Sequence, residues 1–449
     1  MKIFSTFQYQ EAKNHDAQEN FLSMTAQIIN FQKRGLKGFS RSSALLAILA
    51  WTQLSSAFAE FNTGPAPEFP NLKPTDISYG LEFKLPYLEK AYLSATPQDL
   101  NDGIPTGQLG VDGGDIESIR KIAEAYAIEP PDEKADNLDS LLICYKGKLL
   151  FEAYYRRGRV NYPHYQMSIT KSYTALAIGR AIQLGQLNME DLDKPAIHFL
   201  KDLDTTKFPQ GADTITLTDL MKMNSGIMVA DNSNIESLAK TQIAADPNGN
   251  QTSVKEKVKG QKEIQVYLES SAPIPPHPRK YKYQESDPAI IMQILNAVTP
   301  HGSKDFIQNE LFKPLGITNY QWDTATSGLP KSAAGASLLS RDMLKIGLLI
   351  MANGKWQGQQ LIPEEFISRA MSPLIRGFGE SYYGFYWWVD DFKVGDKTYH
   401  CLEGRGAGGQ FILMFPEIDL LVVVTSHDKG MGNLLKTLPS RIIPAFIKN

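Results

Sequence analysis

A serine hydroxyl and a lysine amine stand three residues apart at Ser168 and Lys171, within the stretch Met167–Leu187, MSITKSYTALAIGRAIQLGQL. On a helix, positions i and i+3 share a face, so the two groups come within hydrogen-bond reach. A serine hydroxyl attacks a carbonyl poorly unless a base takes its proton. Lysine serves as that base once burial or a nearby positive charge lowers its pKa. The first N–H groups of a helix lack partners, so the N–H of Ser168 can receive a developing oxyanion. By itself the S-x-x-K spacing is weak. A helix start with Ser168 as N-cap and a solvated Lys171 satisfies it too.

These groups need elements to hold them. Ala175, Leu176, Ile178, Ala181, Ile182 and Leu184 form a buried stripe that predicts a helix from Ser168 to Leu187, with Gly185 ending it. Upstream, Leu141–Tyr145 and Leu149–Tyr155 flank Lys146-Gly147-Lys148 and read as a hairpin. Thr216–Met223 reads as a short helix ending in Asn224-Ser225-Gly226, and helices are expected over Ala289–Val298 and Leu338–Asn353. The polar stretch 231–262 reads as a loop or cover over the site. Near the C-terminus the period changes. Tyr382–Val389, Lys397–Glu403, Gln410–Phe415 and Leu420–Ser426 read as antiparallel strands, followed by a helix over Gly432–Ile447. Strands at both ends with helices between predict an α+β fold. The N- and C-terminal strands close one antiparallel sheet flanked by helices, and a mainly helical lobe covers about 190–335. Residues 60–137 read as an extended Pro- and Gly-rich segment with one helix near Ile116–Tyr126, ahead of a catalytic domain at 138–449.

The Ser-Lys helix resembles the nucleophile helix of the serine β-lactamase and penicillin-binding-protein superfamily. The resemblance is nearest the class C-like branch, with its esterases and 6-aminohexanoate-dimer hydrolases. It continues through ITLTDLMKMNSG at Ile215–Gly226, YKYQESDPAIIMQIL at Tyr281–Leu295, AGASLLSRDMLKIGLLIMANGKWQG at Ala334–Gly358 and GRGAGGQFILMFPEIDLLVVVTS at Gly404–Ser426. As an ordered set these are specific, and they imply a β-lactamase-like fold. The resemblance makes Tyr283 a second acid/base group, with Tyr281 the fallback. Phenolate character at Tyr283 would need the cationic Lys171 close by. Glu285 stands where the branch usually carries Asn or Ser.

The family's Lys-Thr-Gly or His-Thr-Gly is missing, and Gly404-Arg405-Gly406-Ala407-Gly408-Gly409-Gln410 occupies that strand. That triad grips a β-lactam carboxylate, so its absence argues against a dedicated β-lactamase or transpeptidase. Ala407 is the candidate second oxyanion donor, and Gly408 and Gly409 let substrate approach the backbone. Arg405 either binds a substrate carboxylate or pairs with a surface acid. Asn224 is either a substrate-binding residue or a helix C-cap. Tyr386, Trp387 and Trp388 line an acyl pocket or belong to the core. The family topology places two strands between those of Cys144 and Cys401, which disfavours a disulfide.

Composition bounds the partners. Hydrophobic residues are 42% and charged residues 21%, as in a globular chain, and the formal net charge of -3 gives no footprint for nucleic acid. Two cysteines and seven scattered histidines support no metal module, and His400 and His427 show no partner in the sequence. No metal or organic cofactor is expected. Nothing sets an oligomeric state. Lys33, Arg34, Lys37 and Arg41, then the short apolar run Ala44–Trp51, then Ala57-Phe58-Ala59, lay out a cleavable export signal over residues 1–59. A start at Met24 would shorten its long polar leader. The mature protein is expected in the periplasm, with no membrane span left.

Two functions follow. The leading one is a serine hydrolase that forms an acyl-enzyme on a small ester or amide. The alternative is a catalytically silent binding or sensor protein on the same scaffold. A Ser-His-Asp hydrolase would want G-x-S-x-G, and Ser168 lacks those flanking glycines.

Overall fold

Runs such as LLICY and LLVVVTS are apolar at consecutive positions, which suits strands covered on both faces. In the computed structural model they are such strands. The structure describes residues 61–447 apart from 129–136, 230–233, 246–251 and 428–430, so the leader and signal lie outside the described residues.

Nine strands form one antiparallel sheet: β1 (Tyr92–Ser94), β2 (Leu138–Tyr145), β3 (Lys148–Tyr154), β4 (Ile375–Arg376), β5 (Tyr382–Tyr383), β6 (Trp388–Val394), β7 (Lys397–Gly406), β8 (Gln410–Phe415) and β9 (Leu420–Ser426). Their spatial order is β1-β3-β2-β9-β8-β7-β6-β5-β4. The join between the two chain ends is β2 against β9, with Val422 opposite Ile143 and Val424 opposite Leu141. The expected closure of the sheet by N- and C-terminal strands is therefore present. Cys144 on β2 and Cys401 on β7 have β9 and β8 between them, and both are free thiols.

The sheet alternates between two cores. Leu142, Ile412, Met414, Leu421 and Val423 face one apolar cluster, while Leu141, Ile143, Phe411, Leu413, Val422 and Val424 face the other. The second cluster is covered by α1 (Ile116–Ile128) and the C-terminal α6 (Met431–Ile442). The first is covered by α2 (Ile169–Gln183), α4 (Ser286–Val298) and α5 (Ser340–Met351), and the short α3 (Leu217–Met221) packs beside α4. Thr216 and Asp219 start α3 with a reciprocal capping box.

Three expectations shift. Tyr382–Val389 is two strands rather than one, because the backbone turns through Gly384–Trp387 with Tyr386 at φ 60°. Stretch 231–262 is not a plain loop. Its described part holds helices Ile235–Ala244 and Val254–Lys257, capped by Asn234 and by a Ser253–Glu256 capping box, with Leu238, Ala239 and Val258 buried. The segment before 138, expected to be extended with one helix, also enters the sheet, since β1 adds a strand to its edge against β3.

Candidate active site

The chain reaches Ser168 through a constrained step. Met167 has φ 48°, in the left-handed region that a side chain with a Cβ seldom occupies, and Ser168 follows as N-cap of α2. The Ser168 hydroxyl makes no capping bond, so it is left for other partners. Lys171 Nζ lies 3.2 Å from Ser168 Oγ. It also donates to the carbonyl of Ala333 at 2.6 Å. Lys171 is only 3% exposed, and burial lowers its pKa to about 8, against a weaker upward pull from the Glu285 carboxylate. Both neighbours of the amine are neutral, so little offsets the loss of water around an ammonium.

Tyr283 comes to the same place from another element. It precedes α4, and its phenol lies close enough to the Ser168 hydroxyl to feel it, which works to lower the phenol's pKa. Its position is set from below. The N–H of Lys282 donates to the carbonyl of Met223 at 2.7 Å. Ser225 Oγ and Gln284 Nε2 both donate to Asp287 Oδ1 at 2.7 Å, which ties the 224–226 turn to the first turn of α4. Asp287 is fully buried, and burial pushes its pKa up to about 7. Burial also raises the Tyr283 phenol, with the Ser168 hydroxyl opposing it. The ammonium of Lys171 lies 4.6 Å from the centroid of the Tyr283 ring, over its face. Burial thus works against the phenolate character expected of Tyr283, and the group whose charged form is disfavoured beside Ser168 is Lys171. Tyr281, the fallback, packs edge-on to Phe378, Tyr383 and Trp388, with its hydroxyl buried and unpartnered.

The strand β7 closes the site. A Cβ at Gly406 would fall 2.3 Å from the carbonyl oxygen of Gln166, and one at Gly404 would meet Trp387 at 3.2 Å and Ile169 at 3.5 Å. Gly404 and Gly406 are thus the glycines that let the strand lie against the start of α2. Ala407 follows directly, exposed, at the first position of the 407–409 turn. Gly408 and Gly409 complete that turn with φ 83° and 86°, and Gly409 packs on Ser426 and Leu434. Their glycine requirement is met by the hairpin itself.

Two further candidates have other partners. The Asn224 backbone N–H donates to the Asp219 carbonyl at 2.9 Å, and its side-chain amide, oriented with the nitrogen toward the acceptors, donates to Asp219 Oδ1 and to the same carbonyl, a role at the end of α3. Arg405 is ion-paired to Asp390 and Glu403 and lies 4.8 Å from the Trp388 ring centroid. Of its two readings, pairing with acids is the one displayed, and Glu403 is buried rather than at the surface. Trp387 and Tyr386 are core residues, whereas Trp388 stacks on Tyr283 with centroids 6.3 Å apart. Two contributors escaped the sequence reading. The carbonyl of Ala333 holds Lys171, and a backbone oxygen has no residue-type signature. Phe378 is 60% exposed and lies 6.0 Å from Tyr283 and 5.8 Å from Trp388, where it continues an aromatic wall.

The profile of the Beta-lactamase family matches residues 138–442, more than half of the chain. The chain belongs to the Beta-lactamase family. No curated protein matches it in sequence. Among solved structures, a Bacillus anthracis protein assigned as a 6-aminohexanoate-dimer hydrolase aligns with TM-score 0.57 at 16% identity, covering 85% of this chain and 97% of that one. EstCE1, described as a hydrolase with promiscuous acyltransferase activity, aligns with TM-score 0.54 at 16% identity over 74% and 98% of the two chains. A D-stereospecific amidohydrolase from Streptomyces sp. aligns with TM-score 0.51 at 14% identity over 74% and 99%. Identities this low speak for the fold alone. Within this Beta-lactamase-family chain, Ser168, Lys171 and Tyr283 are the residues gathered at one point.

Proposed function

We propose that the protein is an exported, periplasmic serine hydrolase that cleaves a small ester or amide through an acyl-enzyme on Ser168. The observation that carries this reading is the buried Lys171 amine, 3.2 Å from Ser168 Oγ, with its pKa lowered to about 8. Ser168 Oγ bonds to the substrate carbonyl carbon as its proton passes to Lys171 Nζ. The N–H groups of Ser168 and Ala407 receive the oxyanion. The phenol of Tyr283, beside Ser168, donates a proton to the leaving oxygen or nitrogen, and Lys171 restores the phenol's proton. Water then releases the acyl group, with the same amine as base. No metal or organic cofactor takes part.

The missing Lys-Thr-Gly and the engaged guanidinium of Arg405 support a substrate other than a penicillin. The aromatic wall of Tyr283, Trp388 and Phe378 suits an apolar acyl or leaving group. Incubation with a fluorophosphonate probe and with p-nitrophenyl acetate tests the reading. Labelling and turnover are expected in the wild type and lost in Ser168→Ala, with kcat/KM rising as pH passes through about 8 and the amine loses its proton. Absence of both would leave the silent binding protein as the better account. A panel of esters, amides and nitrocefin ranks the substrates, with nitrocefin expected to be poor.

A further inference from the structure

Two histidines lie side by side outside the catalytic cluster. The rings of His164 and His427 have centroids 4.8 Å apart, and their side chains are 8% and 7% exposed. Glu82, 2% exposed, lies against both. Its Oε1 contacts His164 Nδ1, and its Oε2 stands 3.9 Å from His427 Nε2. The far nitrogen of each ring is already engaged. His164 Nε2 faces the carbonyl oxygen of Ser426 at 3.3 Å, and His427 Nδ1 faces Asp139 Oδ2 at 2.5 Å. Both oxygens only accept, so each of those nitrogens carries a proton. The remaining nitrogens, His164 Nδ1 and His427 Nε2, both turn toward the Glu82 carboxylate, whose Oε2 also accepts from the N–H of Tyr165 at 3.1 Å. A carboxylate buried against imidazole nitrogen needs positive charge beside it, supplied either by a proton on the ring or by a metal cation. Glu82 Oε1 is also buried with no aligned hydrogen-bond donor. The ligand atoms of the three residues all lie within 4.8 Å of one another.

We propose that Glu82, His164 and His427 bind one divalent transition-metal ion, with zinc the fitting probe, as a structural cross-brace. Zinc takes histidine nitrogen at about 2.0–2.1 Å and carboxylate oxygen at about 2.0–2.2 Å, so modest side-chain movement closes the site. A ligating histidine ordinarily donates its other N–H to a carboxylate or a backbone carbonyl, and Asp139 and Ser426 fill those two places. Imidazole with one carboxylate suits a borderline ion rather than calcium or magnesium. The ligands come from three distant segments. The ion would bind the N-terminal segment and the end of β9 to the chain four residues ahead of Ser168. It has no part in the acyl-transfer chemistry.

The test uses the full chain, stripped of metal and titrated with zinc chloride by calorimetry and with cobalt(II) in the visible range. About one tightly held equivalent is expected, with a raised melting temperature and the strong absorption of low-coordinate cobalt. Asp139→Asn should weaken zinc binding by about 10- to 100-fold. His400→Ala should not, although His400 lies at the surface beside Asp391 and Glu417. Absence of stoichiometric binding by the wild type overturns the proposal and makes the cluster a proton-only clamp. Undiminished binding in His164→Gln/His427→Gln overturns it as well. If that variant fails to fold, X-ray absorption of the wild-type zinc complex decides, and a spectrum without histidine ligation overturns the assignment.

Discussion

Two lysines follow a polar residue by one helical turn and are buried almost equally, Lys171 to 3% exposure and Lys345 to 2%. Lys345 follows Asp342 on α5, and its ammonium lies 2.8 Å from the Asp342 carboxylate. Lys171 has a hydroxyl and a carbonyl in place of a carboxylate. An ion pair offsets part of the desolvation of an ammonium, and neutral partners do not. Spacing and burial are shared, so what differs between the two lysines is the partner.

The largest effect comes from removing the bare amine. Lys171→Met should lower kcat/KM for p-nitrophenyl acetate by about 10²- to 10⁴-fold, the range for loss of a general base, while urea unfolding shows little loss of stability. Lys345→Met should do the reverse. It leaves Asp342 buried and unpaired and should destabilise by about 3–5 kcal/mol in urea, with the pH profile of the remaining activity unchanged. Equal stability losses in the two variants would break the comparison.

The same contrast extends to carboxyls. Asp342 has its lysine, whereas Asp287 has only hydroxyl and amide donors and one buried unpaired oxygen. The folded-state pKa of Asp287 is raised from 3.8 to about 7. Its contribution to stability is therefore full below the unfolded value and lost as pH rises through about 7. Asp287→Asn should remove that fall, making the variant more stable than wild type at pH 8 relative to pH 5 in paired urea titrations. The smallest effect belongs to Glu285, whose charge raises the Lys171 pKa from the site's rim. Glu285→Gln should move the acid limb of kcat/KM to lower pH by a fraction of a unit, and added salt should shrink the difference.

Most of the fold was legible because its strands and helices carry their own periodicity. The β8 and β9 runs and the stripe of α2 needed no tertiary information. That Ser168, Lys171 and Tyr283 lie together was legible through motif order. Their electrostatic surroundings were not. They depend on burial and on which face of the Tyr283 ring meets the amine, and neither follows from residue type. The engagement of Arg405 by Glu403 and Asp390 arises from strand pairing between β6 and β7, which sets Trp388 opposite Glu403 and Asp390 opposite Cys401. His427 found its partners 288 and 345 residues away, at Asp139 and Glu82, beyond the reach of local pattern.

The seat of Lys171 over the Tyr283 ring has a further meaning for the order of events. In the proposed reaction, acceptance of the serine proton by the amine would place a full positive charge where Lys171 is only 3% exposed. The electron-rich face of an aromatic ring already lies beneath it, 4.6 Å away. The newborn ammonium needs no rearrangement to be accommodated. On the proposed mechanism one planar side chain would serve twice, with its rim toward the reacting oxygen and its broad side as a resting place for charge. Tyr283→Phe would keep the second service and abolish the first.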